Sequence, residues 1–229
     1  MMSPTVAATG EGAQRAVGTW NLEGRWDDRH AALLSAQECD VWLLTEVSER
    51  VRLQGWCATT TATPMARGRA WAAVWSKEGH TSLAGPHPAS TAAGLGDLVL
   101  CSSVLPWRSC GSDAPWSEGS TADKTSSVLA ALDGGLAAGP LVWGGDWNHS
   151  LAGQEYVGSA AGRAAVLALL EARGLVASTA DLPSCVPGVL SIDHIAAPAG
   201  WSAAARHVVA EQDGVRLSDH DAYVVDLQR

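Results

Sequence analysis

Two apolar runs, DVWLLTE at 40 to 46 and LVWGGD at 141 to 146, constrain this chain more than any other feature in it. Each has the length of a strand, and neither alternates apolar with polar residues. A strand without alternation has to be covered on both faces. Each run also ends on a carboxylate, Glu46 or Asp146. Such strands belong inside a layered α/β structure that delivers its charged residues to the strand ends. A chain of 229 residues can bury one large core, so one domain is expected over residues 15–229, behind a flexible N-terminus at 1–14.

The remaining segments fill in the layers. AVGTWN (16–21) reads as a short strand, and DDRHAALLSAQE (27–38) as a helix capped by Asp27 or Asp28. Segments 56–62, 70–76 and 97–105 are rich in β-branched residues and Trp and are separated by Gly, Pro and Ser, which predicts strands joined by loops. A polar loop follows from Trp107 to Ser120, then a helix over 121–139. GRAAVLALLEARG (162–174) carries Val166, Leu169, Leu170 and Arg173 at helical spacing, with Gly174 as its stop. Strands are predicted at 175–179, 189–197, 204–210 and 221–227. Two sheets with helices outside them accommodate this many strands.

Composition narrows the function. With eleven Trp, two Tyr and no Phe, the large core residues must be Trp, Leu and Val. A net charge of -9 argues against a protein that grips nucleic acid by a broad basic face, but leaves room for an enzyme that meets phosphate through a metal. Cys39, Cys57, Cys101, Cys110 and Cys185 are scattered without a C-x-x-C, so neither a disulfide framework nor a zinc site is indicated, and the thiols read as small core residues of a reducing compartment. There is no signal-like start and no run of membrane-span length; a soluble, cytoplasmic monomer is expected.

Five polar segments stand at or near the ends of these apolar strands: TWNLEG with Asn21 and Glu23, LLTEV with Glu46, GGDWNH with Asp146, Asn148 and His149, SIDHI with Asp193 and His194, and LSDHD with Ser218, Asp219, His220 and Asp221. In an extended backbone Asp146 and Asn148 share a face, which suits chemistry at a strand end; a turn whose Asx side chains bond their own backbone is the other reading. Carboxylates ending buried strands cost desolvation unless they are paired or bind a cation. A shared metal explains most of them together. His30, His80, His87 and His207 read as surface or satisfied core residues.

In content and in order these segments resemble the endonuclease/exonuclease/phosphatase superfamily, which includes pancreatic-type deoxyribonucleases, abasic-site endonucleases, sphingomyelinases and inositol polyphosphate phosphatases. The resemblance spans roughly residues 16–227. It implies a four-layer α-β-β-α sandwich, two packed mixed sheets with helices on the outer faces. It also implies a Mg²⁺-dependent phosphodiesterase, Mn²⁺ being a substitute, in which water attacks phosphorus in line; a nuclease acting on DNA or RNA leads.

By the same resemblance Glu46 is the main metal ligand, with Asn21 and Glu23 beside it and Asp219 completing the charge around the ion. Asp146 orients or deprotonates the water, Asn148 hydrogen-bonds the phosphate or that water, and Asp193 holds His220 towards the scissile phosphate. Asn21 counts among the substrate contacts too. Arg67 and Arg69, with Trp107 and Arg108, sit on predicted loops where they could grip a phosphate and stack a flat group, although two Arg flanking a Gly also describe an ordinary solvated turn. One departure stands out: Val104 occupies the place where many of these nucleases carry a His or Tyr, and a valine donates no proton. His149 is the candidate substitute. The alternatives are a phosphatase for a small or lipid phosphate ester, and a phosphate-binding relic without turnover.

Overall fold

In the computed structural model, which describes residues 14–229, the two unalternating runs become inner strands of two different sheets. The chain runs β1 (Gln14–Asn21), α1 (Asp28–Ala36), β2 (Val41–Ser48), β3 (Cys57–Thr60), β4 (Pro64–Ala66), β5 (Arg69–Ser76), β6 (Thr81–Leu83), β7 (Ser90–Leu95), β8 (Leu98–Ser103), α2 (Thr121–Gly135), β9 (Leu141–Asp146), α3 (Ala160–Ala172), β10 (Leu175–Ala177), β11 (Asp193–Pro198), β12 (Ser202–Val208), β13 (Glu211–Gln212), β14 (Val215–Arg216) and β15 (Ala222–Gln228). The first sheet has the order β12-β15-β1-β2-β5-β3, with β4 also on β5, and the second β10-β11-β9-β8-β7-β6. Both are mixed. Their parallel pairs are β1 with β2 across α1, and β8 with β9 across α2.

The missing alternation in the apolar runs now has a cause. Val41 and Leu43 of β2 face the other sheet, where they join Val17, Val74 and Val225 against Leu100, Val142 and Ile195. Trp42 and Leu44 point the other way, into a layer with Trp20 and with Leu33 and Leu34 of α1. On the far side Leu141 and Trp143 of β9 meet Val128 and Leu132 of α2 and Val166 and Leu170 of α3. The result is helix, sheet, sheet, helix: the expected four-layer sandwich. Each fully buried aliphatic side chain contributes about 1.5–3 kcal/mol, so both faces of these strands stabilise the fold. A Trp-rich core makes its own demands: a Cβ on Gly18 would stand 2.3 Å from the Trp42 ring.

Caps and boundaries follow local chemistry. Asp27 accepts from Arg29 N and His30 N and opens α1, while Ser120 and Ser159 open α2 and α3, so that α3 begins before the expected Gly162. The strand expected from residue 189 begins only at Asp193, because the preceding residues make no more than an isolated bridge, Pro183 to Leu190. Strand β7, STAAGL, lacks the bulky residues that reveal a strand, and its pairing with β8 supplies the order instead. The flexible tail expected over 1–14 lies outside the described residues except for Gln14, which already belongs to β1. Among the described residues no helix is long and apolar enough to cross a membrane. All five cysteines are free thiols.

The glycines of GGD are packing residues of β9. Gly145 has φ +128, and a Cβ there would lie 2.1 Å from the carbonyl oxygen of Ser103 on β8; one on Gly144 would lie 2.7 Å from the carbonyl oxygen of His194 on β11. Only a residue without Cβ lets β9 pass between these neighbours and carry Asp146 to its place. Gly145→Ala is therefore expected to lower stability by roughly 2–4 kcal/mol, from strain and overpacking together. Urea unfolding should show a lower midpoint at unchanged slope. An unchanged midpoint would mean that this close approach does not constrain the strand.

Candidate active site

The ends of four strands converge at one rim of the sandwich. Asp146 and Asp193 lie opposite each other in the ladder between β9 and β11 of the second sheet. Asn21 closes β1 of the first sheet, and its Nδ2 donates both to Asp146 Oδ2, at 3.0 Å, and to Glu46 Oε1, at 3.1 Å. One amide thus ties the carboxylates of two sheets together. Arg69 donates to Glu46 Oε2 at 2.8 Å and to the Glu23 carbonyl at 3.0 Å. The Glu23 carboxylate accepts from Arg25, at 2.9 Å, and from the backbone N–H of Asp219, at 3.2 Å.

The LSDHD segment is pinned against β1. Ser218 Oγ donates to the Asn21 carbonyl at 2.7 Å, and the indole of Trp20 donates to the His220 carbonyl at 3.2 Å. This turns His220 towards β11, where its Nδ1 meets Asp193 Oδ2 at 2.6 Å. Asp146, Asp193 and His220 each offer a ligand atom, and these all lie within 4.8 Å of one another. Asp221 takes no part in this; it binds His207 at 2.6 Å, the backbone of Ala210 at 2.8 Å, and Arg216.

Backbone strain gathers here as well. Glu23, Glu46 and Asn148 have φ of 53, 49 and 52, three of the five non-glycine residues with positive φ among those described. In β2 the pairing passes from Thr45–Ala72 to Val47–Ala70 and leaves Glu46 out of the ladder. A carboxylate held in such a conformation is fixed by its surroundings, and such strain concentrates where function requires a given geometry.

Burial sets the charges. It pushes Asp146 up to about 7; Asp193 and Glu46 add to the rise, while His220 and the Asn21 amide oppose it. Burial likewise raises Asp193, against the pull of His220. Burial alone would lower His220, but the facing carboxylates of Asp193 and Asp146 outweigh it and hold the ring well above its ordinary value, as an imidazolium. Its Nε2 has no hydrogen-bond partner among the described residues and lies 4.0 Å from Asp219 Oδ1.

The residues fit a divalent cation. Asp146 and Asp193 bring carboxylate oxygens within 4.8 Å of each other, Glu46 is joined to Asp146 through the Asn21 amide, and a cation beside Asp146 would favour the charged form that burial disfavours. The buried Asp146–Asp193–His220 group could coordinate it. An imidazolium whose Nδ1 is already bound to Asp193 is a poor ligand, however. Glu46 and Asn21 offer hard oxygens of the kind Mg²⁺ takes, at present engaged within the protein: Glu46 by Asn21 and Arg69, and Asn21 Oδ1 by Glu23 N at 2.9 Å.

The other candidate residues fall in separate places. Asp146 Oδ1 accepts from Asn148 N at 3.0 Å, so the turn reading of GGDWN is correct for one oxygen while the other faces Asn21. Asn148 donates to the Leu105 carbonyl at 3.0 Å and lines a cavity of about 230 Å³ with Asp193, Asp219 and His220. His149 is fully buried, its Nδ1 on the Trp147 carbonyl at 2.7 Å, and Val104 is packed in the core; neither reaches that cavity. His194 is also enclosed, between Thr179 and the His149 carbonyl, and burial lowers it to about 4. Half-buried Trp107 packs edge-on against Trp116, and Arg108 donates to the Gly158 carbonyl at 3.3 Å, beside the cavity wall at Val157. Arg67 is exposed and lies with Arg69 on the Glu46 side. His30 caps α1, His80 bonds Thr59 and Ser76, His87 accepts from Ala89 N, and His207 holds Asp221.

Sequence reasoning missed Tyr156. It lines the same cavity as Asn148 and His220, its hydroxyl 3.4 Å from the Leu190 carbonyl, and burial raises its phenol above the ordinary value. A single Tyr in a loop gives no periodic or motif signal. Tyr156 and Tyr223 both line the cavity that Val104 does not reach, and the Tyr223 hydroxyl donates to the Pro183 carbonyl at 2.9 Å.

Neither a protein-family model nor a curated protein matches the sequence. Solved structures do. An AP endonuclease, LMAP, from Leishmania major is similar at TM-score 0.66 and 14% identity, over 94% of this chain and 88% of that one. An endonuclease/exonuclease/phosphatase from Beutenbergia cavernae DSM 12333 is similar at TM-score 0.63 and 18% identity, over 94% and 71%. The endonuclease domain of TRAS1, a telomere-specific non-LTR retrotransposon, is similar at TM-score 0.62 and 14% identity, over 94% and 99%. At these identities the likeness is one of architecture, and the fold of this chain is that of the endonuclease/exonuclease/phosphatase superfamily.

Proposed function

We propose that this protein is a divalent-metal-dependent phosphodiesterase that hydrolyses the backbone of DNA or RNA. The observation that carries the reading is the Asn21 amide, which joins Glu46 to Asp146 within reach of the His220–Asp193 pair. A binding relic has no need to hold a raised carboxylate, a charged imidazole and a hard-oxygen cluster together at the cost of backbone strain. Two of the similar structures are described as endonucleases, which favours a diester over a monoester.

When bound at Glu46 and Asn21, with Glu23 and Asp219 adding charge, Mg²⁺ or Mn²⁺ would supply Lewis-acid stabilisation of charge on a phosphoryl oxygen. Asp146 takes the proton from the attacking water. Burial has brought this carboxylate near the working pH, where a general base is most effective, and the Asn21 amide fixes its Oδ2. His220, held by Asp193, turns an unpartnered Nε2–H and a positive charge towards the phosphate and stabilises negative charge as phosphorus becomes five-coordinate. The Asn148 carboxamide and the Tyr156 hydroxyl line the same cavity and hydrogen-bond substrate oxygens.

Cleavage of bis(4-nitrophenyl) phosphate or plasmid DNA is expected with Mg²⁺ or Mn²⁺ and not with EDTA; turnover that survives thorough chelation contradicts the reading. Asp146→Asn should lower kcat on the order of 10²-fold or more, since the isosteric amide keeps the turn and removes the base. Wild-type rate in that folded variant would return Asp146 to the status of a turn residue. Hydrolysis of monoesters alone would favour a phosphatase.

The raised carboxylate also predicts a sign for stability against pH in the metal-free protein. Between the ordinary 3.8 of the unfolded chain and about 7 in the fold, native Asp146 keeps a proton that the unfolded chain has lost. Stability therefore falls as pH rises through this window. Asp146→Asn lacks the effect, so in EDTA the melting temperature of the wild type should fall relative to the variant between pH 4 and pH 7. A constant difference over that window would show that Asp146 is not raised.

A further inference from the structure

The chain has only 15 lysines and arginines under a net charge of -9. Six of the arginines, Arg25, Arg29, Arg50, Arg67, Arg69 and Arg216, line one cavity of about 750 Å³ on the Glu46 side of the rim. Two carboxylates, Asp27 and Glu49, share that lining. In a protein short of positive charge six guanidiniums thus share one recess, beside the carboxylates proposed above to hold a cation.

Four of these guanidiniums are engaged. Arg29 is bound by Asp27, Arg25 by Glu23, Arg216 by Asp221, and Arg69 by Glu46. Nη2 of Arg216 is nevertheless buried without a partner. Arg50 and Arg67 are exposed, and their side chains make no hydrogen bond or ion pair among the described residues. Gly68, with φ +72, makes the turn that sets Arg67 and Arg69 on the same cavity wall. Guanidiniums with free donors facing a polar recess are built to take an oxyanion, and phosphate matches their fork geometry. Arg69 belongs to both places, since it lines the cavity and holds Glu46 Oε2.

We infer that this cavity is a phosphate subsite: it takes a phosphate of the substrate other than the one hydrolysed, gripped by Arg50 and Arg67 and adjoining the metal-binding carboxylate through Arg69. The inference rests on the phosphodiesterase reading and narrows it to substrates with at least two phosphates. The second phosphate comes either from the neighbouring diester of a strand or from the terminal phosphates of a nucleotide.

Binding without turnover tests it. In EDTA, titrations followed by tryptophan fluorescence, with Trp26 in the cavity wall, would compare the wild type with the double variant Arg50→Gln, Arg67→Gln. Both positions are exposed, so the unfolding midpoint should change little. One probe is a short thymidine oligomer without terminal phosphates, the other thymidine triphosphate. The double variant should bind at least one probe on the order of 10-fold more weakly, and for the oligomer the slope of log affinity against log salt should shrink by about 1.4, roughly 0.7 for each lost contact to a single strand. The probe that responds identifies the source of the phosphate. Equal affinity of both proteins for both probes, or no binding by the wild type, overturns the inference. Hydrolysis of bis(4-nitrophenyl) phosphate by the wild type with Mg²⁺, measured in parallel, separates the two readings. Turnover without an arginine effect on binding removes the subsite and leaves the phosphodiesterase. Anion binding without any metal-dependent turnover removes the substrate role along with the phosphodiesterase.

Discussion

The contact on which the site depends is between an amide and two carboxylates. Asn21, at the end of a strand in one sheet, donates from a single nitrogen to Glu46 of its own sheet and to Asp146 of the other. Without such a bridge the two acids would repel each other across the seam of the sandwich, because both project into a rim largely closed to water. The bridge needs β9 in its place, close to both neighbours of its own sheet and, at Gly144, to Leu43 of the other, where a Cβ would lie 2.8 Å from the Leu43 side chain. Gly144 and Gly145 let β9 lie close to its neighbours, and Ser218 ties the SDH segment to the Asn21 carbonyl. Packing and electrostatics are thus one problem here: the glycines that let β9 pass between β8 and β11 also carry Asp146 to the seam where it meets Asn21 and, through it, Glu46.

Charge is distributed on the same principle. Most of the molecule is acidic, and its interior acids are paired one by one: Asp193 with His220, Asp221 with His207 and Arg216, Glu46 with Arg69. What is left over among the described residues is Asp146, bound only by the Asn21 amide and the Asn148 N–H, and, beyond Arg69, the guanidiniums of Arg50 and Arg67. A phosphodiester carries one negative charge per phosphate, and under the proposed reading a cation near Glu46 and the arginine cavity beyond it would each meet one phosphate of the same substrate. A strongly acidic protein can in this way approach a polyanion without a broad basic face.

The layers and the polar segments that meet at the rim were legible because both are written in short range. Val41 to Leu44 lacks alternation since its two faces meet two different cores, and the carboxylates stand near strand ends: Glu46 two residues before the end of β2, Asp146 at the end of β9, Asp193 at the start of β11 and LSDHD just before β15. What escaped the sequence depends on distance along the chain. Arg69 looked like a phosphate grip and is found on Glu46, 23 residues away. The arginine cavity draws on the loop after β1, the end of β2, the turn before β5 and the β14 region, and no local pattern joins them. Tyr156 is a lone aromatic in an irregular segment, and β7 is built of small residues whose order comes from pairing with β8. His149 illustrates the reverse error: a polar residue beside a motif that the fold turns inwards, against Gly158 and Gly162.

In the proposed reaction the two acidic groups divide the work, with oxygens around Glu46 and Asn21 holding the ion and the Asp146–Asp193–His220 group handling the proton and the phosphate. Locating the ion tests this most directly. In crystals grown with Mn²⁺, an anomalous difference map should place the metal against Glu46 and Asn21, with Arg69 displaced from Glu46 Oε2 or sharing that carboxylate, and with the His220–Asp193 hydrogen bond intact. A single manganese enclosed by Asp146, Asp193 and His220, with Glu46 still paired only to Arg69, would contradict the account.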